Sequence, residues 1–213
     1  MASAAEVRLA VAAGADALGF VSAMPSGPGP IEESLIAVLV ATVPPPVSCF
    51  LLTCLTDPAA IADQVARCGV DTVQLVDAVP DGAHAALRDR LRHRVRLVQV
   101  IHVVDATSVD EALGVAPDVD ALLLDSGNPR LAVKELGGTG RVHDWTLSRA
   151  IVERSPVPVF LAGGLRAGNV ADAVRAVRPF GVDVCSGVRT AGRLDTEKLG
   201  VFVERAGTAE RGA

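Results

Sequence analysis

Short apolar runs alternate with helix-period segments along the 213 residues, and this alternation predicts an α/β protein, a TIM (βα)8-type barrel. Three observations carry the prediction. Each strand-like run is separated from the next by a helix-like one, the order that right-handed βαβ units and a parallel sheet require. The runs are continuously apolar, as parallel strands covered on both faces should be. Glycine-bearing strand ends fall in the last two units, where such barrels build anion sites. Neither GxGxxG nor GxxxxGK[ST], the marks of a doubly wound nucleotide fold, occurs near the N-terminus. The tally is seven strands and eight helices with a helix first, so the barrel is expected to lack its first β-strand.

The elements follow in order. "SAAEVRLAVAAG" opens as a helix, capped by Ser3 and ended by Gly14. "DALGFV" is a short strand, followed by the loop "SAMPSGPGP". "IEESLIAVLVATV" is helical until the prolines at 44–46 stop it. "VSCFLL" is a strand, and "DPAAIADQVARCG" is a helix with Asp57 capping and Pro58 in its first turn. "DTVQLV" and "RLVQVIHV" are strands on either side of the helix "DGAHAALRDRLRH", which puts His84 and His93 on a helix surface. "SVDEALGVA" is a short helix, "VDALLLD" a strand, and a long loop runs to Gly140 before a helix from about Trp145. "VPVFLAG" and "GVDVCSG" are the last strands, with the helix "AGNVADAVRAV" between them and "DTEKLGVFVERA" closing the chain. A single domain over residues 1–213 is expected, with a disordered tail from about 207 to 213.

Bulk composition narrows the function classes. Half the residues are hydrophobic, enough for a sizeable core. The net charge is −5 and there is no basic block, which argues against a nucleic-acid partner. Five Phe, one Trp and no Tyr leave few platforms for base stacking. No apolar run reaches the length of a membrane span, so no membrane partner is expected. The four cysteines (Cys49, Cys54, Cys68 and Cys185) lack CxxC or metal-ligand spacing, which with no signal peptide suggests reduced thiols in the cytoplasm.

The chemistry concentrates at strand ends. Gly163 and Gly164 leave one strand without side chains at its exit, and Ser186 and Gly187 do the same on the next. One such pair would suit a tight turn. Two on consecutive final strands suit a phosphate monoester lying against bare backbone, so a phosphorylated small molecule is the expected partner. Asp125 ends the strand "LLLD" at the mouth, where a buried carboxyl serves either as an acid or as a cap for the loop backbone. Gly138 and Thr139 belong to "GGTG", a run suited to a loop that folds over a ligand. His102, at the end of its strand, is a further candidate for the mouth.

Together "GADALGFV", "VQL", "LLLDS", "GGTGRVHDW", "LAGGLRAGNV" and "GVDVCSGV" resemble, in order and spacing, the phosphoribosylanthranilate isomerases of tryptophan biosynthesis. The resemblance runs from about residue 3 to residue 203. It implies an Amadori rearrangement of N-(5-phosphoribosyl)anthranilate to the 1-deoxyribulose 5-phosphate product, with no cofactor and no metal. Asp125 is then the acid on the furanose oxygen, Gly163, Gly164, Ser186 and Gly187 hold the phosphate, and the Gly138–Thr139 loop lies close by. The family's base is a cysteine in a Lys-Ile-Cys-Gly strand ahead of its first helix, and residues 1–213 hold no such segment. Other departures are "SGPGPI" for an arginine loop, Val76-Asp77 for His-Gly, and His143 for Phe. They leave a non-catalytic or repurposed barrel that binds a phosphorylated small molecule as the alternative. A monomer or homodimer is expected.

Overall fold

The computed structural model describes residues 1–25, 27, 29–91, 95–128, 131, 134, 136 and 140–211, with side chains as far as residue 209. They gather into two compact units, Met1–Val100 with Asp118–Asp120, and Ile101–Pro117 with Ala121–Ala213.

The first unit contains α1 (Ala4–Ala12), β1 (Ala17–Val21), α2 (Glu33–Val40), β2 (Ser48–Thr53), α3 (Pro58–Cys68), β3 (Thr72–Leu75), α4 (Ala83–Leu91) and most of β4 (Arg96–His102). Its strands pair in sequence order and all in parallel, with Phe50 opposite Gly19 on one side and Thr72 on the other. The helices begin where side chains can satisfy free amides. The Ser3 hydroxyl accepts from the Glu6 N–H at 3.2 Å, and the Glu6 carboxylate accepts from the Ala2 N–H at 3.0 Å. Asp57 accepts from the Ala60 N–H at 2.8 Å, Pro58 fills the first turn, and Gly69 at φ 71° ends α3 in the left-handed region. Ile61, Gln64, Val65 and Cys68 of α3 are buried at helical spacing, so one face of the helix enters the core.

β3 is buried throughout and β4 beyond its first residue, as expected of doubly covered strands. β1 and β2 instead alternate buried with more open positions, so their two faces are unequally covered. Offset parallel strands leave amides at their starts without a ladder partner, and two aspartates take them up. Asp71 Oδ2 accepts from the Cys49 N–H at 2.9 Å while its Oδ1 accepts from the Thr72 hydroxyl at 2.7 Å. Asp120 Oδ2 accepts from the Leu97 N–H at 2.7 Å and from Arg88 at 3.1 Å. His84 is not a plain surface residue. Its Nε2 meets Gln99 Oε1 at 3.0 Å, while Gln99 Nε2 donates to the carbonyls of Leu75 (3.1 Å) and Asp77 (3.0 Å) and so braces the exit of β3. His93 lies outside the described residues.

The second unit holds the last two residues of β4, then α5 (Thr107–Val115), β5 (Ala121–Asp125), α6 (Trp145–Arg154), β6 (Val159–Leu161), α7 (Val170–Val177), β7 (Gly181–Val182), the pair β8 (Arg189–Thr190) and β9 (Arg193–Leu194), and α8 (Thr196–Arg211). β5, β6 and β7 pair in parallel, with Leu123 opposite Phe160 and Phe160 opposite Gly181. The strand read from "GVDVCSG" stops at Val182, and Ser186–Val188 forms a 3-10 turn. The β8–β9 hairpin has no counterpart in the sequence reading. Its turn residues Ala191 and Gly192 both have positive φ, 48° and 78°, but Ala-Gly lacks the Asn-Gly or Asp-Gly signature of such turns. α8 continues to Arg211, through most of the stretch expected to be a tail. No helix among the described residues is long and apolar enough to cross a membrane.

The aspartate at a strand start makes a measurable demand on the fold. Asp120→Ala would leave the Leu97 amide without its acceptor, so urea denaturation should show a loss of about 1–3 kcal/mol. Asp120→Asn, which keeps an acceptor oxygen, should lose less.

Candidate active site

In the second unit the carboxyl ends of three parallel strands come level with one another. Leu124, Leu161 and Val182 share one register position across β5, β6 and β7. The next step brings Asp125, Ala162 and Asp183 into line. The Ala162 N–H donates to the Leu124 carbonyl at 2.7 Å and the Asp183 N–H to the Leu161 carbonyl at 2.8 Å. Residues at one register position of a parallel sheet turn their side chains to the same face. Accordingly Asp125, Ala162 and Asp183 line one small cleft of about 40 Å³, together with Gly163, Gly164 and Ser186.

Asp125 is 9% exposed, and its Oδ1 accepts from the Ser126 N–H at 2.7 Å. Its carboxylate thus caps the following backbone, and the residue also lines the cleft. Asp183 was absent from the sequence expectations. The signal for it was present: an aspartate interrupts the apolar run "GVDVC" one residue beyond the strand. Crowding by protein and the nearby Asp125 charge push the Asp183 carboxyl up to about 6. The side chain reaches water through the cleft, which softens both effects.

The glycines are required by the protein's own backbone. Gly163 and Gly164 have φ of 82° and 63°. A Cβ on Gly164 would stand 2.5 Å from the Arg141 carbonyl, and one on Gly163 would stand 3.0 Å from His143 Nδ1 and from Ser126. A Cβ on Gly187 would lie 1.9 Å from the Leu165 carbonyl, so Gly187 packs against the exit loop of β6 and is not among the cleft-lining residues. Asn169 ties that loop to the start of α7. Its Oδ1 accepts from the Arg166 N–H at 2.8 Å, and its Nδ2 donates to the Gly164 carbonyl at 3.1 Å.

His143 stands beside this loop, its Nε2 2.7 Å from the Ser148 hydroxyl at the buried face of α6. Burial holds its imidazole below the usual pKa of 6.5, against the opposing pull of Asp125 and Asp144. His102 is buried at the end of β4, where its carbonyl accepts from the Ser108 hydroxyl at 3.3 Å, and it does not line the cleft. Burial raises the Cys49 and Cys68 thiols to about 11. Burial followed by the Asp183 charge also raises Cys185, although its side chain reaches solvent. None of these three is poised as a thiolate. Gly138 and Thr139 lie outside the described residues. No group of three or more metal-ligating side chains occurs among those described.

Two outcomes follow from this packing. Gly187→Ala forces a methyl onto the Leu165 carbonyl and should cost at least about 2 kcal/mol in chemical denaturation. The second concerns acid. Because the folded state depresses the His143 pKa, the unfolded chain takes up a proton first as pH falls through 6.5, and stability is lost on acidification. The melting temperature should therefore drop more steeply between about pH 7 and about pH 5 in the wild type than in His143→Phe.

Comparison with known proteins converges on one family. The model of the N-(5'phosphoribosyl)anthranilate (PRA) isomerase family matches residues 2–205. The chain is 42% identical over 205 residues to the N-(5'-phosphoribosyl)anthranilate isomerase of Haloferax volcanii, covering 95% of this chain and 87% of that one. It is 41% identical over 201 residues to the Halobacterium salinarum enzyme, with 92% and 88% covered. Among solved structures, the phosphoribosyl anthranilate isomerase of Thermotoga maritima superposes with a TM-score of 0.84 at 27% identity, over 98% of this chain and 96% of that one. A phosphoribosyl anthranilate isomerase in complex with reduced 1-(o-carboxyphenylamino)-1-deoxyribulose 5-phosphate gives 0.81 at 25%, over 98% and 95%. The chain belongs to the N-(5'-phosphoribosyl)anthranilate isomerase family, the TIM-type barrel isomerases that carry out the Amadori rearrangement of tryptophan biosynthesis.

Proposed function

We propose that the cleft at the ends of β5, β6 and β7 is where this isomerase holds and protonates its substrate. The observation that carries the reading is the meeting of Asp125 with Gly163, Gly164 and Ser186 in one cleft. An acid and an anion cradle in one place are what a phosphorylated aminosugar requires. The 5-phosphate lies against the backbone at Gly163 and Gly164 and the Ser186 hydroxyl, with Gly187 holding the adjoining loop close. The ligand of the solved relative is itself a 5-phosphate, the class of molecule this reading calls for. A cleft of about 40 Å³ admits only part of such a ligand, so the aryl end projects outward.

In the reaction, the Asp125 carboxyl gives its proton to the furanose oxygen. The C1–O bond breaks toward that oxygen, and the nitrogen lone pair forms the C1=N bond of a Schiff base. A base then removes the C2 proton, and the C2–H electron pair becomes the C1=C2 bond of an enolamine that tautomerises to the aminoketose. The sequence is redox-neutral and needs no external oxidant or reductant. His102 stays structural at the end of β4. The chain works as one βα-barrel domain of the cytoplasm, as a monomer or a homodimer. A charged, water-soluble substrate supports that location.

Asp125→Asn keeps the shape of the acid and removes its transferable proton. Turnover followed by anthranilate fluorescence should fall about 10²–10⁴-fold while KM changes little. Wild-type kcat in this variant would move the acid to another residue.

A further inference from the structure

The cleft has two aspartates and no cation among its lining residues, yet the reading above places a phosphate in it. A base stands against the cradle from outside the cleft. A Cβ on Gly163 would lie 3.0 Å from His143 Nδ1, so one edge of the imidazole packs on the cradle's first glycine. Ser126, the residue after Asp125, meets the same point at 3.0 Å through its amide nitrogen and its hydroxyl. The other edge of the ring is anchored, with Nε2 2.7 Å from the hydroxyl of Ser148, which is fully buried on α6. Nδ1 is itself buried and has no hydrogen-bond partner. A bare lone pair is cheaper to bury than a bare N–H, so in the neutral ring the proton sits on Nε2 and is donated to Ser148. That leaves Nδ1 as an unused base facing the glycine turn.

We infer that His143 supplies the positive charge of the anion cradle: its Nδ1 takes up a proton from solvent when a dianion binds at Gly163 and Gly164. The inference rests on the phosphate reading and deepens it, making anion binding depend on pH through a positioning residue that the anion does not touch. In the empty cleft a proton on Nδ1 is a buried charge without an acceptor, so the ring stays neutral near pH 7. The depressed pKa of His143 agrees with this. An anion across the glycine backbone offsets the new charge over a short path through protein, where salt screens little. Two other charged groups act on the ring. Asp125 at the end of β5 and Asp144 at the start of α6 both favour its protonation, and burial outweighs them until an anion adds its share. Ser148, Ser126 and Gly163, which pack against the ring from α6 and from the exits of β5 and β6, are uncharged. The coupling is reciprocal: the factor by which the anion raises proton affinity is the factor by which the proton raises anion affinity.

Inorganic sulfate is the probe, because it stays a dianion throughout the range in which histidine titrates. Its affinity for the wild type, measured by calorimetry, should rise about tenfold between about pH 7.5 and about pH 5.5. The imidazole resonance of His143, one of four histidines, should titrate about one pH unit higher with saturating sulfate than without it. That titration uses the wild type alone and stays decisive where a variant folds poorly. His143→Phe, and His143→Gln with its amide left to meet Ser148, should both flatten the pH profile of sulfate affinity. Asp183 lines the cleft with its carboxyl pushed up to about 6, so its own protonation also eases anion binding. The series is therefore repeated in Asp183→Asn, where the acid-side tightening that remains belongs to His143. A His143 midpoint unmoved by bound sulfate, or one pH profile common to wild type and both variants, overturns this inference and leaves the phosphate site standing. A wild type that binds neither sulfate nor inorganic phosphate at any pH overturns the phosphate reading along with it.

Discussion

Register between parallel strands is the constraint on which the candidate site depends. The ladder that pairs Leu124 with Leu161 and Leu161 with Val182 aligns the three residues that follow. The amides of Ala162 and Asp183 lock that alignment one step past the last paired residues. Side chains alternate faces along a strand, so a slip of one residue would turn a carboxyl out of the cleft and send its neighbour in. The aliphatic residues behind the line resist such a slip. Leu122, Leu124 and Leu161 are fully buried, and reversing any of them would trade core packing for solvent. The chemistry is thus held in place by hydrophobic burial on the preceding residues.

Close backbone approach is the second requirement. At Gly163, Gly164 and Gly187 the space of a missing side chain is occupied first by other parts of the protein: His143 and Ser126, the Arg141 carbonyl, and the Leu165 carbonyl. The loop after β6 is sandwiched in this way and then pinned by Asn169. Such packing keeps the loop rigid, which a preorganised anion cradle needs. The glycines are thus required by the protein's own backbone, whatever lies in the cleft.

The electrostatics of the cleft is set locally. The protein is acidic overall, so no long-range field draws a phosphate in. The cleft itself contains two aspartates, which repel an anion at short range. Gly163, Gly164 and Ser186 line the same cleft and bring no acidic side chain to it. The thiols take no part in this balance. Burial raises Cys49, Cys68 and Cys185, and the Asp183 charge holds Cys185 further from ionising.

Much of this was legible in the chain itself. Hydrophobic periodicity marked the eight helices and seven parallel strands, and Ser3, Gly14 and Asp57 marked helix ends, because those signals act over a few neighbouring residues. Asp125 and the Gly163–Gly164 exit were legible for the same reason, each ending an apolar run. Three features were not. The β8–β9 turn uses Ala191 at positive φ, which no local preference favours. Asp120 and Asp71 cap amides more than twenty residues away along the chain. Asp183 gains its meaning only beside Asp125, fifty-eight positions earlier. By itself the sequence determined the order of the helices and of the parallel strands and which strand exits are bare. Only the tertiary structure decided that two carboxyls share one face across Ala162, because strand register is a relation between distant segments that no local pattern encodes.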